Sequence, residues 1–159
     1  MLIEKGRIKM LGVTVLETVV ALAIGALVLI GTVIYYTSLS HNTNVSKTVS
    51  DMNAIVAAYR VYGAGNPITA STSIATLQNY NLLPNPFVDP WGGNYSASVI
   101  ISTDGKTPAR IGITIANLRG PNDDADCAAI GNAVRNTAYY IQGSYCYFEY
   151  LLWANLYYY

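Results

Sequence analysis

Residues 12–36 read GVTVLETVVALAIGALVLIGTVIYY, with Glu17 as the one charged residue in the run. At 1.5 Å of rise per residue, the charge-free part (residues 18–36) matches a hydrocarbon core of about 30 Å. A carboxylate inside a membrane span costs roughly 2.5–3.5 kcal/mol on insertion scales, so Glu17 asks for a partner cation. A cut after Gly12 would create one, the α-amino group of Val13. An ordinary secretory signal has a shorter apolar core followed by a small-residue cleavage site. Here the run ends in Val33-Ile34-Tyr35-Tyr36, too bulky for cleavage at that end. Tyrosine pairs of this kind suit a membrane–water boundary.

Around this stretch the chain is short and sparsely charged. It has 159 residues, 52% of them hydrophobic and 11% charged, which leaves room for one membrane segment and one modest domain. Lys5, Arg7 and Lys9 precede the apolar run, and the positive-inside rule then exports everything after it. Without residues 1–12 the chain loses three of nine basic and one of nine acidic residues. The slightly acidic remainder has no basic stripe, so no nucleic-acid partner is expected.

Helical periodicity continues beyond the membrane boundary. Val45, Val49, Met52, Val56 and Tyr59 recur at spacings of three and four, with Ile55 and Tyr62 beside them. Ser46, Lys47, Ser50, Asp51 and Asn53 fill the opposite face. One helix from about residue 14 to 61 is expected, stopped by Gly63-Ala64-Gly65-Asn66-Pro67. A short helix over 72–79 follows, then a turn-rich loop with Pro84-Asn85-Pro86 and Asp89-Pro90-Trp91-Gly92-Gly93. Residues 95–101 and 109–116 read as strands around Thr103-Asp104-Gly105-Lys106. Asn122 or Asp123 could cap a helix over 124–136, and residues 145–153 read as a last strand. The expected fold class is α+β, a long N-terminal helix packed on a small antiparallel sheet.

Few residues offer chemistry. His41 is the single histidine, so a histidine triad or a histidine metal cluster is not expected. The sequence has no haem-attachment motif, phosphate-binding glycine loop or nucleophile elbow, so no catalysis and no cofactor are expected. Asp123, Asp124 and Asp126 could suit a hard cation. Their spacing is not that of an EF-hand loop, and acids at a helix start favour capping, so no metal is assigned. Asp89 reads as a turn former. Cys127 and Cys146 form neither a CxxC pair nor a zinc set. In an exported chain they read as a disulfide; two buried thiols are the alternative for a chain kept in the cytosol. Tyr139, Tyr140, Tyr145, Tyr147, Tyr150 and Tyr157 to Tyr159 could make a sticky surface, though strand faces and core are the commoner fate of such residues.

Gly12, the apolar residue after it and Glu17 resemble the prepilin peptidase signature of class III signal sequences. The whole layout, a spine helix bearing a disulfide-closed head, is similar to a type IV pilin. Val13 at the first mature position and the absence of proline around Ile34 are closer to the type IVb group than to type IVa. Asn85-Pro86-Phe87 and Asp89-Pro90-Trp91-Gly92-Gly93-Asn94-Tyr95 resemble the loop-to-strand segment of type IVb heads, and major pseudopilins of type II secretion share the Asp-Pro-Trp-Gly element. The resemblance implies a cleaved leader over 1–12, a spine helix over 13–62 with 13–36 as membrane span and filament core, and a head over 63–159. It further implies processing at Gly12 by prepilin peptidase, N-methylation of Val13, and pairing of Glu17 with the amine of an adjoining copy. The implied partners are further copies of the chain and an inner-membrane assembly platform. The implied location is the bacterial inner membrane, then an extracellular pilus serving adhesion, conjugation, aggregation or motility. A pseudopilin, a minor tip pilin with an adhesive head and an unpolymerised single-span receptor are the rival readings.

Overall fold

The computed structural model describes residues 15–101, 109–119, 124–140 and 145–152. Within them the chain is α+β, with helix α1 at Val15–Gly65, helix α2 at Ile74–Asn79 and helix α3 at Ala125–Val134. The strands are β1 at Tyr95–Ile100, β2 at Arg110–Arg119, β3 at Ala138–Tyr140 and β4 at Tyr145–Leu151. Residues 1–40 and 41–159 form two compact units.

In the first unit, α1 has no buried residue over 15–40. From His41 onward the same helix becomes one-sided. Thr48, Met52, Ile55, Val56, Ala58 and Tyr59 are its buried residues, and Val45, Val49 and Tyr62 pack half-buried beside them. The expected stripe is therefore present, with Ile55 at its centre rather than at its margin. Thr48, which falls outside that stripe, is fully buried. The helix also outlasts the expected stop, running through Gly63-Ala64-Gly65, with Asn66 N–H donating to Tyr62 O at 2.9 Å. Glycine weakens a helix without forbidding it, whereas Pro67 lacks an N–H and drives the residue before it out of helical geometry.

The sheet is antiparallel throughout, in the order β1-β2-β4-β3. Side chains alternate across it with a period of two. Ile111, Ile113 and Ile115 of β2 point inward, opposite Tyr150, Phe148 and Cys146 of β4 and opposite Val99, Ala97 and Tyr95 of β1. These residues and the α1 stripe make one hydrophobic core. On the outer face the ring of Tyr147 lies against Gly112, leaving no space for a Cβ there. Tyr147 OH donates to Glu149 Oε1 at 3.3 Å, and Arg110 Nη1 pairs with Glu149 Oε2 at 3.1 Å.

Three local details depart from the expected pattern. β2 runs three residues further than the alternation suggests, because a register shift after Ile115 lets Arg119 pair again with Tyr145. The cap of α3 is Asp124, whose side chain accepts from Asp126 N at 2.9 Å. Asn122 and Asp123, the expected caps, lie outside the described residues. α3 ends at Val134 in a turn closed by Thr137 N donating to Val134 O at 2.8 Å. The chain then enters β3, an element too short for the sequence pattern to reveal.

Candidate assembly surface

The most unusual surface of this chain is the N-terminal part of α1. Fifteen large apolar side chains between Val15 and Leu39 are at least half exposed, and an 18-residue window of mean hydropathy 2.4 is wholly unburied. These residues point in every direction around the helix axis, because they occupy consecutive as well as spaced positions. A helix apolar all round belongs in lipid or among other helices. Its hydroxyls are compatible with either. Thr32 Oγ1 donates to Leu29 O at 2.8 Å and Thr37 Oγ1 to Ile34 O at 2.9 Å, so neither needs water. Gly25 and Gly31 have open space around them, which allows close approach of a second helix.

Glu17 lies on the exposed first turn of α1, where the helix dipole favours an acid. Gly12 and Val13 lie outside the described residues, so the sequence-predicted processing site is not placed. The other predicted pair is placed. Cys127 of α3 and Cys146 of β4 are disulfide-bonded, with Cα atoms 5.7 Å apart and both residues fully buried. The bond staples α3 to the sheet beneath it.

The acidic candidates take structural roles. Asp89 Oδ1 accepts from the backbone N–H groups of Trp91 and Gly93, both at 2.9 Å, which closes the Asp-Pro-Trp-Gly turn. Gly93 is required there, since a Cβ would stand 2.6 Å from Asp89 Oδ2 and 2.8 Å from Asn117 Cγ. Asp126 Oδ1 pairs with His41 Nδ1, and Asp126 Oδ2 accepts from Trp91 Nε1 at 3.0 Å. One carboxylate thus joins the start of the head's share of α1, the turn and α3. Among the described residues, no three His, Cys, Asp or Glu side chains are grouped to hold a metal ion. Asp123 lies outside the described residues.

The described tyrosines divide between core and surface. Tyr150 is buried on the inner face, Tyr147 is half-buried on the outer face and Tyr145 is exposed. The side chains of Tyr139 and Tyr140, and residues 153–159, are not among those described. Two buried tyrosines absent from that sequence-based list anchor the head. Tyr59 OH donates to Thr72 O at 2.9 Å, and Tyr95 OH donates to Asp51 Oδ2 at 3.0 Å. Their signal in the sequence was the apolar stripe for Tyr59 and strand alternation for Tyr95; the distant partners had none.

Burial pushes the phenols of Tyr59 and Tyr150 up to about 12, and raises Tyr95 further, with the carboxylates of Asp51 and Asp89 adding to the effect. In the unfolded chain these groups ionise near 10. Between pH 10 and 12 the unfolded state therefore binds fewer protons, and stability falls as pH rises. Each such phenol contributes a slope of about 1.4 kcal/mol per pH unit in that window. Chemical denaturation of the head should show a flat midpoint below pH 9 and a steep loss above pH 10. Tyr59→Phe should shed part of that slope.

Compared with family models, with curated proteins and with solved structures, the chain matches none of them.

Proposed function

We propose that this chain is the structural subunit of a type IVb pilus, processed by prepilin peptidase and polymerised through its N-terminal helix. One observation carries the reading: a single helix whose first 25 or so residues expose apolar side chains on every side, followed without interruption by a disulfide-stapled head. Exposed apolar area costs about 25 cal/mol per Å² in water, so that segment needs an apolar environment at every stage. Lipid supplies it for the precursor, and the equivalent helices of other copies supply it in a filament. The resemblance of Gly12 to Glu17 to a class III signal supplies the order of events. Removal of residues 1–12 leaves the ammonium of Val13, and Glu17 of an adjoining copy neutralises it inside the apolar core. The chain binds and positions; no bond-making step is assigned to it. The head over 63–159 forms the exterior of the fibre.

Intact-mass measurement of the exported protein tests this directly. The protein recovered from sheared surface filaments should have lost residues 1–12 and gained one methyl group. An uncut N-terminus, or one cut elsewhere, overturns the pilin reading and leaves a single-span membrane protein. Correct cleavage without surface filaments moves the assignment to a pseudopilin.

A further inference from the structure

His41, the only histidine of the chain, stands at the start of the head's share of α1 with Nδ1 against Asp126 Oδ1 on the first turn of α3. The other oxygen of that carboxylate accepts from Trp91 Nε1 at 3.0 Å, and Asp126 N donates to Asp124 Oδ1 at 2.9 Å. The next residue, Cys127, is tied to β4 by the disulfide. Asp126 is thus fixed by the turn, by its own helix cap and by the staple beside it. The carboxylate stays in place whatever the charge on its partner. Both side chains also reach solvent, at 39% exposure for His41 and 24% for Asp126, so a proton can come and go.

Imidazole is the side chain that ordinarily changes charge between about pH 5 and 8. With the ring neutral, Nδ1–H donates to the carboxylate and Nε2 is bare. A proton taken from water at Nε2 leaves that contact in place and puts a charge on both of its sides, which strengthens it. Among the described side chains, the charged groups on the elements that meet His41 are few. On α3 they are Asp124 and Asp126, with Arg135 at the far end, on the order of 14 Å of helix away from Asp126. In the turn Asp89 is engaged by the N–H groups of Trp91 and Gly93. On α1 the nearest charge is Lys47, six residues along and beside Asp51. The one group in contact with the ring is therefore an acid. We propose that His41 and Asp126 form a proton-operated latch, which tightens α3 and the Asp-Pro-Trp-Gly turn onto α1 as the pH falls from about 8 to 5. The unfolded chain lacks this partner for the imidazolium, so a falling pH favours the latched state. In stronger acid, protonation of Asp126 opens the latch again. The device belongs to the head alone and does not depend on the pilin reading.

Hydrogen exchange of the full-length chain in detergent, run at about pH 5.5 and about pH 8 and corrected for the chemical exchange rate, tests this. Protection of Ala125–Val134, taken relative to Tyr95–Ile100, should be up to about fivefold greater at the lower pH, the effect of one partly exposed ion pair. His41→Gln keeps a donor but takes no proton, and Asp126→Asn keeps both oxygen and size but no charge. Each variant should make that ratio the same at the two pH values. The indole N–H resonance of Trp91 should move over the same range in the wild type and stay still in His41→Gln. A wild-type ratio that does not change with pH overturns the proposal, and this needs no variant to fold. A pH dependence that survives in His41→Gln also overturns it, since the proton then sits on another group. Dependence lost in His41→Gln yet kept in Asp126→Asn overturns the pairing with Asp126.

Discussion

Cells producing the Glu17→Gln variant should carry normal amounts of membrane-anchored, correctly cleaved protein and few or no surface filaments. The substitution keeps the side chain's size and the helix, so insertion of residues 13–36 is at least as favourable as before; the amide is cheaper to bury than the carboxylate. What is lost is the anion that would face the Val13 ammonium of an adjoining copy. Breaking a buried pair by removing one partner costs about 3–5 kcal/mol, because the other charge stays behind unneutralised. At about 1.4 kcal/mol per tenfold, that weakens each subunit contact by roughly two to three and a half orders of magnitude. Filament assembly multiplies the loss along the fibre. Glu17→Val should behave alike, which separates the role of charge from that of hydrogen bonding. The readout is electron microscopy of sheared filaments beside an immunoblot of the membrane fraction. Normal filaments from both variants would show that the charge pair is dispensable.

How much of this was legible in the sequence depends on how local each feature is. The apolar helix could be read from its run of residues alone, because a membrane-length segment is its own signal. Ile111, Ile113 and Ile115 were legible by alternation, and the α1 stripe by its spacing of three and four. Thr48 could not be read as buried, since the face it shares with Met52 and Ile55 is covered by parts of the head distant in sequence, which its own polarity does not announce. β3 escaped because three residues carry no period. The cap of α3 was placed one or two residues early, since Asn122, Asp123 and Asp124 are all good caps and only backbone geometry selects among them. The pairings of Asp126 with His41 and Trp91, and of Asp51 with Tyr95, join residues 35 or more positions apart. No short-range pattern encodes such pairs. The candidate surface escapes that limit, because its apolar character is carried by consecutive residues of one helix.

The second large effect concerns the staple. Cys127→Ala/Cys146→Ala, or full reduction, should lower the stability of the head by about 3 kcal/mol, the chain-entropy value for a loop of about 20 residues. For a domain of this size that corresponds to a fall of about 10–15 °C in Tm. Alanine is the informative replacement, because both sulfurs are fully buried and serine would add an unpaired hydroxyl to an apolar site. The loss should be unevenly distributed. β1 and β2 keep their ladder and their place in the core that also holds Met52, Ile55 and Tyr59, none of which is part of the cross-link. α3 holds to the core through Ile130 and Val134, and β3 leaves α3 only a few residues later, so these two should open first. Hydrogen exchange of the full-length chain in detergent should therefore speed up in Ala125–Val134 and Ala138–Tyr140 before it changes in Tyr95–Ile100. The denaturant m-value should rise as well, since an uncrosslinked unfolded chain exposes more surface. An unchanged Tm after complete reduction would mean that Ile130 and Val134 alone seat α3 on the sheet. Uniform acceleration across all four strands would mean that the disulfide supports the whole head rather than its α3 side.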